Sequence, residues 1–475
     1  MSSPSTHAEV TAADTAGRWP LLLLFASGLV WLVVSGVLAL VASIQLHSPA
    51  FLADCAWFTH GRVTALVETT FVYGWCANAG VGIALWVLGR LGGSPLRALN
   101  WAVVGTLFWN AAIALGLIGI ATGDATSFSL LQMPGYVQPL LVAAYVAMSV
   151  SGILAWNGRR TDGTFASQWY AVAALFIFPW LLVAAQAMLV WSPVRGVLQA
   201  VVDGWYVQSV LSLWLAPLAL AGAYYVVPKA TGRALPSYEF APLAFWTLLF
   251  VGSFSGGRHL IGGPVPAWLP TLANAACWML LFHFSVVALN LRGVFSRGGT
   301  AFKFISFGLS AYVLGSLLDA MTSFRGVALI TQFTYFATAQ QQLALYGGIS
   351  MLFFGSIYFA MPRLTGRSWA SGALVRGHAA LTILGVLLLV VSLAVAGWIQ
   401  GHDLNNAKIA YAELSAHTRP WLLVVTAAYS ILLFGNLLLF VNFILSVCSA
   451  CCVRSDNLPD SSSFRQPSAM EVPAL

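Results

Sequence analysis

"WPLLLLFASGLVWLVVSGVLALVA", residues Trp19–Ala42, runs for 24 residues without a single charge. A helix crossing a hydrocarbon core of about 30 Å needs about 20 such residues. A strand of an outer-membrane barrel would instead alternate polar and apolar residues over about 10 positions, and this stretch alternates nowhere. It reads as a membrane-spanning helix. The whole chain agrees, since its 475 residues are 59% hydrophobic and only 7% charged, with a mean hydropathy of +0.84. No water-soluble class has that composition.

Twelve apolar runs of spanning length follow one another, beginning near Pro20, Arg62, Asn100, Met133, Gln168, Gly204, Tyr238, Trp268, Lys303, Phe333, Arg376 and Pro420. The expected fold is an all-α integral membrane protein of twelve transmembrane helices. Residues 1–19 form a polar N-terminal tail, 20–453 the membrane domain and 454–475 a C-terminal tail that is disordered or held by a partner. The first run is too long for a cleaved signal peptide and is expected to stay as a helix. If the N-terminus is placed in the cytoplasm, fifteen of the 21 Lys and Arg residues fall at inner ends, leaving Arg62, Arg195, Arg258, Arg325, Lys408 and Arg419 outside. That bias predicts twelve spans with both termini cytoplasmic; the expected location is a bacterial-type inner membrane. It also accounts for the net charge of +7, so nothing points to nucleic acid. Cys448, Cys451 and Cys452 cluster at the inner end of the last run as candidates for acylation. No C-x-x-C-H haem-attachment sequence occurs.

Polar residues inside spans are costly and mark either function or a relic of it. The tenth run holds "TYFATAQQQLALYGG", residues Thr334–Gly348, with three consecutive glutamines. The second holds "RVTALVETTFVYGWCANAG", the sixth "WYVQSVLSLWLAPLALAGAYYVVPKATGRALPSYE" and the seventh "FSGGRHLIGGPVPAWLPTLANAACWML". Together these four ordered blocks resemble the catalytic subunit I of the haem-copper oxygen reductases, specifically the cbb-type cytochrome c oxidases, whose subunit I also has twelve spans.

The resemblance implies where the redox chemistry should sit. That family holds two haems and a copper through six histidines. A His-x-His pair in the tenth span serves both haems, because residues two apart on a helix point about 200° apart. Here those positions are Gln340, for the high-spin haem, and Gln342, for the low-spin haem. The other low-spin ligand falls on Val67. The three copper positions fall on Gln208, Arg258 and His259, and the redox tyrosine of the seventh span falls on Gly252. Valine cannot bind iron, an amide is a poor axial ligand, and arginine has no lone pair to give. One ligand of six survives.

The expectation is therefore an oxidase-fold subunit without cofactors, retaining haem b only if ligation is unusual. His259 and His283 are expected to be the only histidines within the spans, with His7, His47, His60, His378, His402 and His417 in tails, loops or helix ends. The chain is expected to serve as a structural or docking subunit of a respiratory or other electron-transfer complex, beside a membrane-anchored c-type cytochrome or an intact oxidase-like paralogue. Two rivals remain: an active cbb-type terminal oxidase with noncanonical ligation, and a proton or ion conductor using Glu68, Asp319 or Lys303. Glu68, Gln208, Arg258, Asp319, Gln340 and Gln342 are candidates for one buried polar network. In it Arg258 would pair with a carboxylate while the three glutamines bond one another and trapped water.

Overall fold

Uncharged runs in lipid must satisfy every backbone N–H and C=O within the segment, which leaves the helix as the open choice. The computed structural model has twelve helices long and apolar enough to cross a membrane, as the sequence predicts. It describes residues 4–93, 96–159, 163–296 and 298–451, with side chains from 11 to 449. The C-terminal tail 454–475 and Cys452 lie outside the described residues. The helices are α1 (Pro4–His47), α2 (His60–Leu91), α3 (Leu99–Thr122), α4 (Gln138–Asn157), α5 (Ala166–Trp191), α6 (Leu198–Thr231), α7 (Tyr238–Leu260), α8 (Trp268–Ser296), α9 (Thr300–Thr322), α10 (Tyr335–Thr365), α11 (Gly372–Leu404) and α12 (Tyr411–Ser449). A short helix, Arg325–Thr331, sits between α9 and α10.

Three helices form the interior. The most apolar stretch of α2 is wholly buried and those of α6 and α10 are 94% buried, against 39–44% for the others. The remaining nine surround them in the order α1, α3, α4, α5, α7, α8, α9, α11, α12, with α12 closing back on α1. Because buried helices meet protein on every side, their polar side chains find partners: Trp75 Nε1 of α2 donates to Ser350 Oγ of α10 at 2.9 Å, and the Tyr73 and Tyr206 hydroxyls join α2 to α6 at 2.7 Å. Each interior helix also widens into a π-helical segment, at Thr70–Cys76, Val210–Leu215 and Leu343–Ser350. Such segments recur at functional sites.

The first helix begins well before Pro20. Residues 4–19, expected as a polar tail, continue α1, because Asp14 is buried and has partners there. Its carboxylate accepts from Arg90 Nη2 of α2 at 2.6 Å and from Trp86 Nε1 at 3.1 Å, while Arg90 also reaches the Tyr225 hydroxyl of α6 at 3.1 Å. This clamp closes the end of the bundle at which α1 begins and α12 finishes, here termed the near end. At the far end α7 does not stay α-helical. Its last residues, Gly252–Leu260, form a 3₁₀ segment pressed onto α6, where a Cβ on Gly256 would lie 2.3 Å from the Gly204 carbonyl oxygen and one on Gly252 2.9 Å from the Ser212 side chain.

Two outcomes test this packing. Gly256→Ala forces α7 off α6 and is expected to cost about 1–3 kcal/mol, read as a lower Tm of the detergent-solubilised protein; an unchanged Tm would contradict the close approach. Asp14→Asn leaves Arg90 buried without its counter-charge and should cost about 3 kcal/mol, with α1 residues 11–19 becoming protease-sensitive.

Candidate functional site

The family positions gather in the far half of the bundle, but around two cavities rather than one. Val67 of α2 and Gln342 of α10 face each other across the larger, about 300 Å³. Its walls come from α1, α2, α10, α11 and α12, and small residues of α1, among them Gly36, Ala39 and Ala42, leave it open. Polar groups line it as well: His60, Thr64, Glu68, Thr338 and Gln341. Tyr346, also on its wall, donates to Asn436 Oδ1 at 2.9 Å.

The smaller cavity, about 70 Å³, lies between α6, α7, α8, α9 and α10 and is lined by Gln208, Ser212, Arg258, Cys277, Tyr312 and Asp319 among others. Arg258 Nη2 pairs with Asp319 Oδ1 at 2.9 Å, with only 10% of the arginine side chain exposed. Gln340 Nε2 donates to the same carboxylate at 3.2 Å and to Thr322 Oγ1 at 3.0 Å. Arg258 Nη1 has no protein partner. One helix thus turns Gln342 toward one cavity and Gln340 toward the wall of the other, as residues two apart must.

The expected single network is therefore divided. Arg258 does pair with a carboxylate, but Gln208, Gln340 and Gln342 do not bond one another: Gln340 is taken by Asp319, Gln208 faces Arg258's cavity, and Gln342 lies across α10 from both. Glu68 belongs with Gln342 and accepts a hydrogen bond from Gln132 Nε2 of the α3–α4 connection. The sequence alone does not single out Gln132, Cys277 or Asp203, whose carboxylate accepts from the Ser129 amide and lies near Glu68. The signal for Asp203 was its place on α6 five residues before Gln208.

The histidines also differ from expectation. His259 is exposed at the end of the 3₁₀ segment, where its backbone carbonyl accepts from Gln332; the α-helical register that would turn its ring inward is lost. His283 is buried as expected, with Nδ1 donating to the Ala244 carbonyl at 2.9 Å and Nε2 accepting from Tyr312 at 3.1 Å. His378, expected at a helix end, is fully buried within α11, 2.9 Å from the Tyr358 hydroxyl and against the Phe304 and Phe354 rings. Tyr224 and Asn290, near the other end, and His283 with Tyr312, beside the smaller cavity, are hydrogen-bonded steps, but the hydroxyl of Tyr170 between them has no partner. They do not form a continuous relay.

These residues do not fit the family's copper and high-spin haem. A guanidinium stands at a copper position, the one surviving imidazole points away, and a cavity of about 70 Å³ is far below the roughly 300 Å³ at which small-molecule sites begin. The larger cavity has the space, yet its two axial positions are an aliphatic side chain and an amide, with His60 the only imidazole on its wall. Among the described residues no three His, Cys, Asp or Glu side chains are grouped to hold a metal ion.

Comparison with known proteins places the chain. The model of the family described as cytochrome c and quinol oxidase polypeptide I matches residues 20–431. The Cbb3-type cytochrome c oxidase subunit CcoN1 of Stutzerimonas stutzeri is 23% identical over 452 residues, covering 91% of this chain and 95% of that protein. Cytochrome c oxidase subunit 1 of Rhodobacter capsulatus is 24% identical over 391 residues, covering 78% and 73%. A heme-copper terminal oxidase dimer solved by cryo-EM superposes with a TM-score of 0.70 at 13% identity, over 90% of this chain and 84% of that one. On a match spanning most of its length, the chain belongs to the cytochrome c and quinol oxidase polypeptide I family, the subunit I family of the haem-copper oxidases.

Proposed function

We propose that this subunit I-like protein is a pseudo-oxidase: a non-catalytic subunit of a respiratory electron-transfer complex, without haem or copper, whose role is structural or docking. The observation that carries this reading is the Arg258–Asp319 pair with Gln340 attached. A guanidinium where a metal cation should sit is both a non-ligand and a repelling charge. Glycines at 252 and 256, where a tyrosine position and the turn before the copper pair would be, let α7 settle onto α6 and take up the space. The preponderance of Lys and Arg at the near end supports an inner-membrane orientation with both termini cytoplasmic. The relative from Stutzerimonas stutzeri is named as a subunit, which supports a place in an assembly. Lipid is one neighbour. The partner that fits best is a membrane-anchored c-type cytochrome or an intact oxidase-like subunit, docking on helices that the twelve-span fold still presents.

The optical spectrum and metal content of the purified chain test this directly. Iron and copper well below one per chain, with no haem band after extraction into pyridine, are expected; one haem per chain surviving mild detergent would falsify the reading. A mutant cycle separates a space-filling pair from a working one. Arg258→Met alone strands Asp319 and is expected to cost about 3 kcal/mol. Arg258→Met combined with Asp319→Leu should recover most of that loss and still co-purify with the same partners. If the double variant folds yet loses its partners, the pair itself does the docking.

A further inference from the structure

A third cavity, about 390 Å³, lies at the near end, remote from both family cavities. It is bounded by the end of α2, the start of α5, the end of α6 and the start of α7. Most of its wall is apolar, including Leu91, Pro228 and Leu235. Its polar features stand together. The first turn of α5 opens onto it, and the amides there have no helical carbonyl to reach. The structure satisfies three: Ala166 N–H donates to the Tyr238 hydroxyl at 2.9 Å, Phe165 N–H donates to Gln168 Oε1 at 3.1 Å, and Gln168 N–H donates to the Phe165 carbonyl at 2.9 Å, which leaves the Ser167 N–H. Ser167, one residue further on, is only 4% exposed, lines the cavity, and its hydroxyl makes no hydrogen bond to any described residue. Lys229, also on the wall, is exposed at its rim and forms no ion pair with any described residue.

A serine hydroxyl opening onto the cavity without a described protein partner, an ammonium at the rim and the positive end of α5 together suit one compact anion with several acceptor oxygens. The apolar remainder calls for a hydrocarbon body on the same ligand. We propose that this cavity binds the phosphodiester of an anionic membrane phospholipid. The phosphate lies between Lys229, Ser167 and the α5 N-terminus, and the glycerol and first acyl carbons lie along Leu91, Pro228 and Leu235. Lys229 serves as a point charge rather than a fork. Basic pockets between helix ends are where anionic headgroups are held, and Tyr238 has the amphipathic ring suited to that depth. A net-neutral choline headgroup gains less from the same field, so the site selects by charge.

The test uses the full chain in detergent, incubated with equal phosphatidylglycerol and phosphatidylcholine, washed, and its retained lipid counted by mass spectrometry. About one phosphatidylglycerol per chain is expected to survive washing, in preference to phosphatidylcholine. Lys229→Gln should lower that retention about fivefold, and adding Ser167→Ala should lower it further. Lys303→Gln, a lysine at the near end of α9 outside the cavity, should retain as much as the parent, and unchanged circular dichroism confirms that each variant is folded. Equal retention of the two lipids, or full retention by Lys229→Gln, overturns the proposal. A separate arm adds inorganic phosphate: if phosphate alone displaces the lipid and raises Tm to the same degree, the chemistry belongs to soluble phosphate and the lipid assignment fails.

Discussion

A positive charge held in the far half of a membrane bundle must be neutralised where it stands, and Arg258 is neutralised by Asp319. The pair joins α7 to α9, and Gln340 adds α10. Much of the local architecture follows from that tie. Asp319 cannot serve elsewhere, Gln340 is oriented by it, and α7 must bring residue 258 inward while its neighbour His259 turns out. The 3₁₀ winding of Gly252–Leu260 meets this demand, and glycine at 252 and 256 makes the approach to α6 sterically open. Breaking such a pair on one side is far more damaging than replacing both partners together, so the buried guanidinium is stable only while Asp319 stands beside it.

Much of this was legible in the residues. Apolar run length predicted twelve helices, and the spacing of the four motif blocks located the two α10 glutamines, Val67 and the α6–α7 positions in the far half. What polarity cannot encode is rotation. Gln340, Gln341 and Gln342 have the same composition signal, yet one bonds Asp319 while the other two line a different cavity. Which partner a buried carboxylate meets also depends on spans distant in sequence: Asp14 reads as part of a soluble tail until Arg90 and Trp86 are known to lie against it. His378 read as a helix-end residue for the same reason, since its burial comes from Phe304 and Phe354 on other helices. The change from α to 3₁₀ winding in α7 has no strong local marker beyond its glycines.

The two far-half cavities differ in how far their walls close in. Between α6, α7 and α9, where glycines and a charge pair bring the helices together, the space is small. Between α1, α2, α10, α11 and α12 it is wide, because small residues of α1 cannot reach across it and the Tyr346–Asn436 bond holds α10 and α12 in place at its wall. An apolar void of that size would be expensive, but a wall with His60, Glu68 and amides is one that water can wet.

The π-helical segments carry a consequence for how such a fold can change. Each α-helical residue advances about 100° around the axis, and a wider turn absorbs an additional residue without breaking the rod. In α2, α6 and α10 these segments begin within three residues after Val67, Gln208 and Gln342. They separate a near half from a far half, and Trp75 and Ser350, which bond each other, lie at the near ends of two of them. Gain or loss of one residue inside one of these segments would turn the far part of that helix by about 100° while leaving its near part in register. The far half can therefore exchange what it presents to the bundle axis without the near half having to repack.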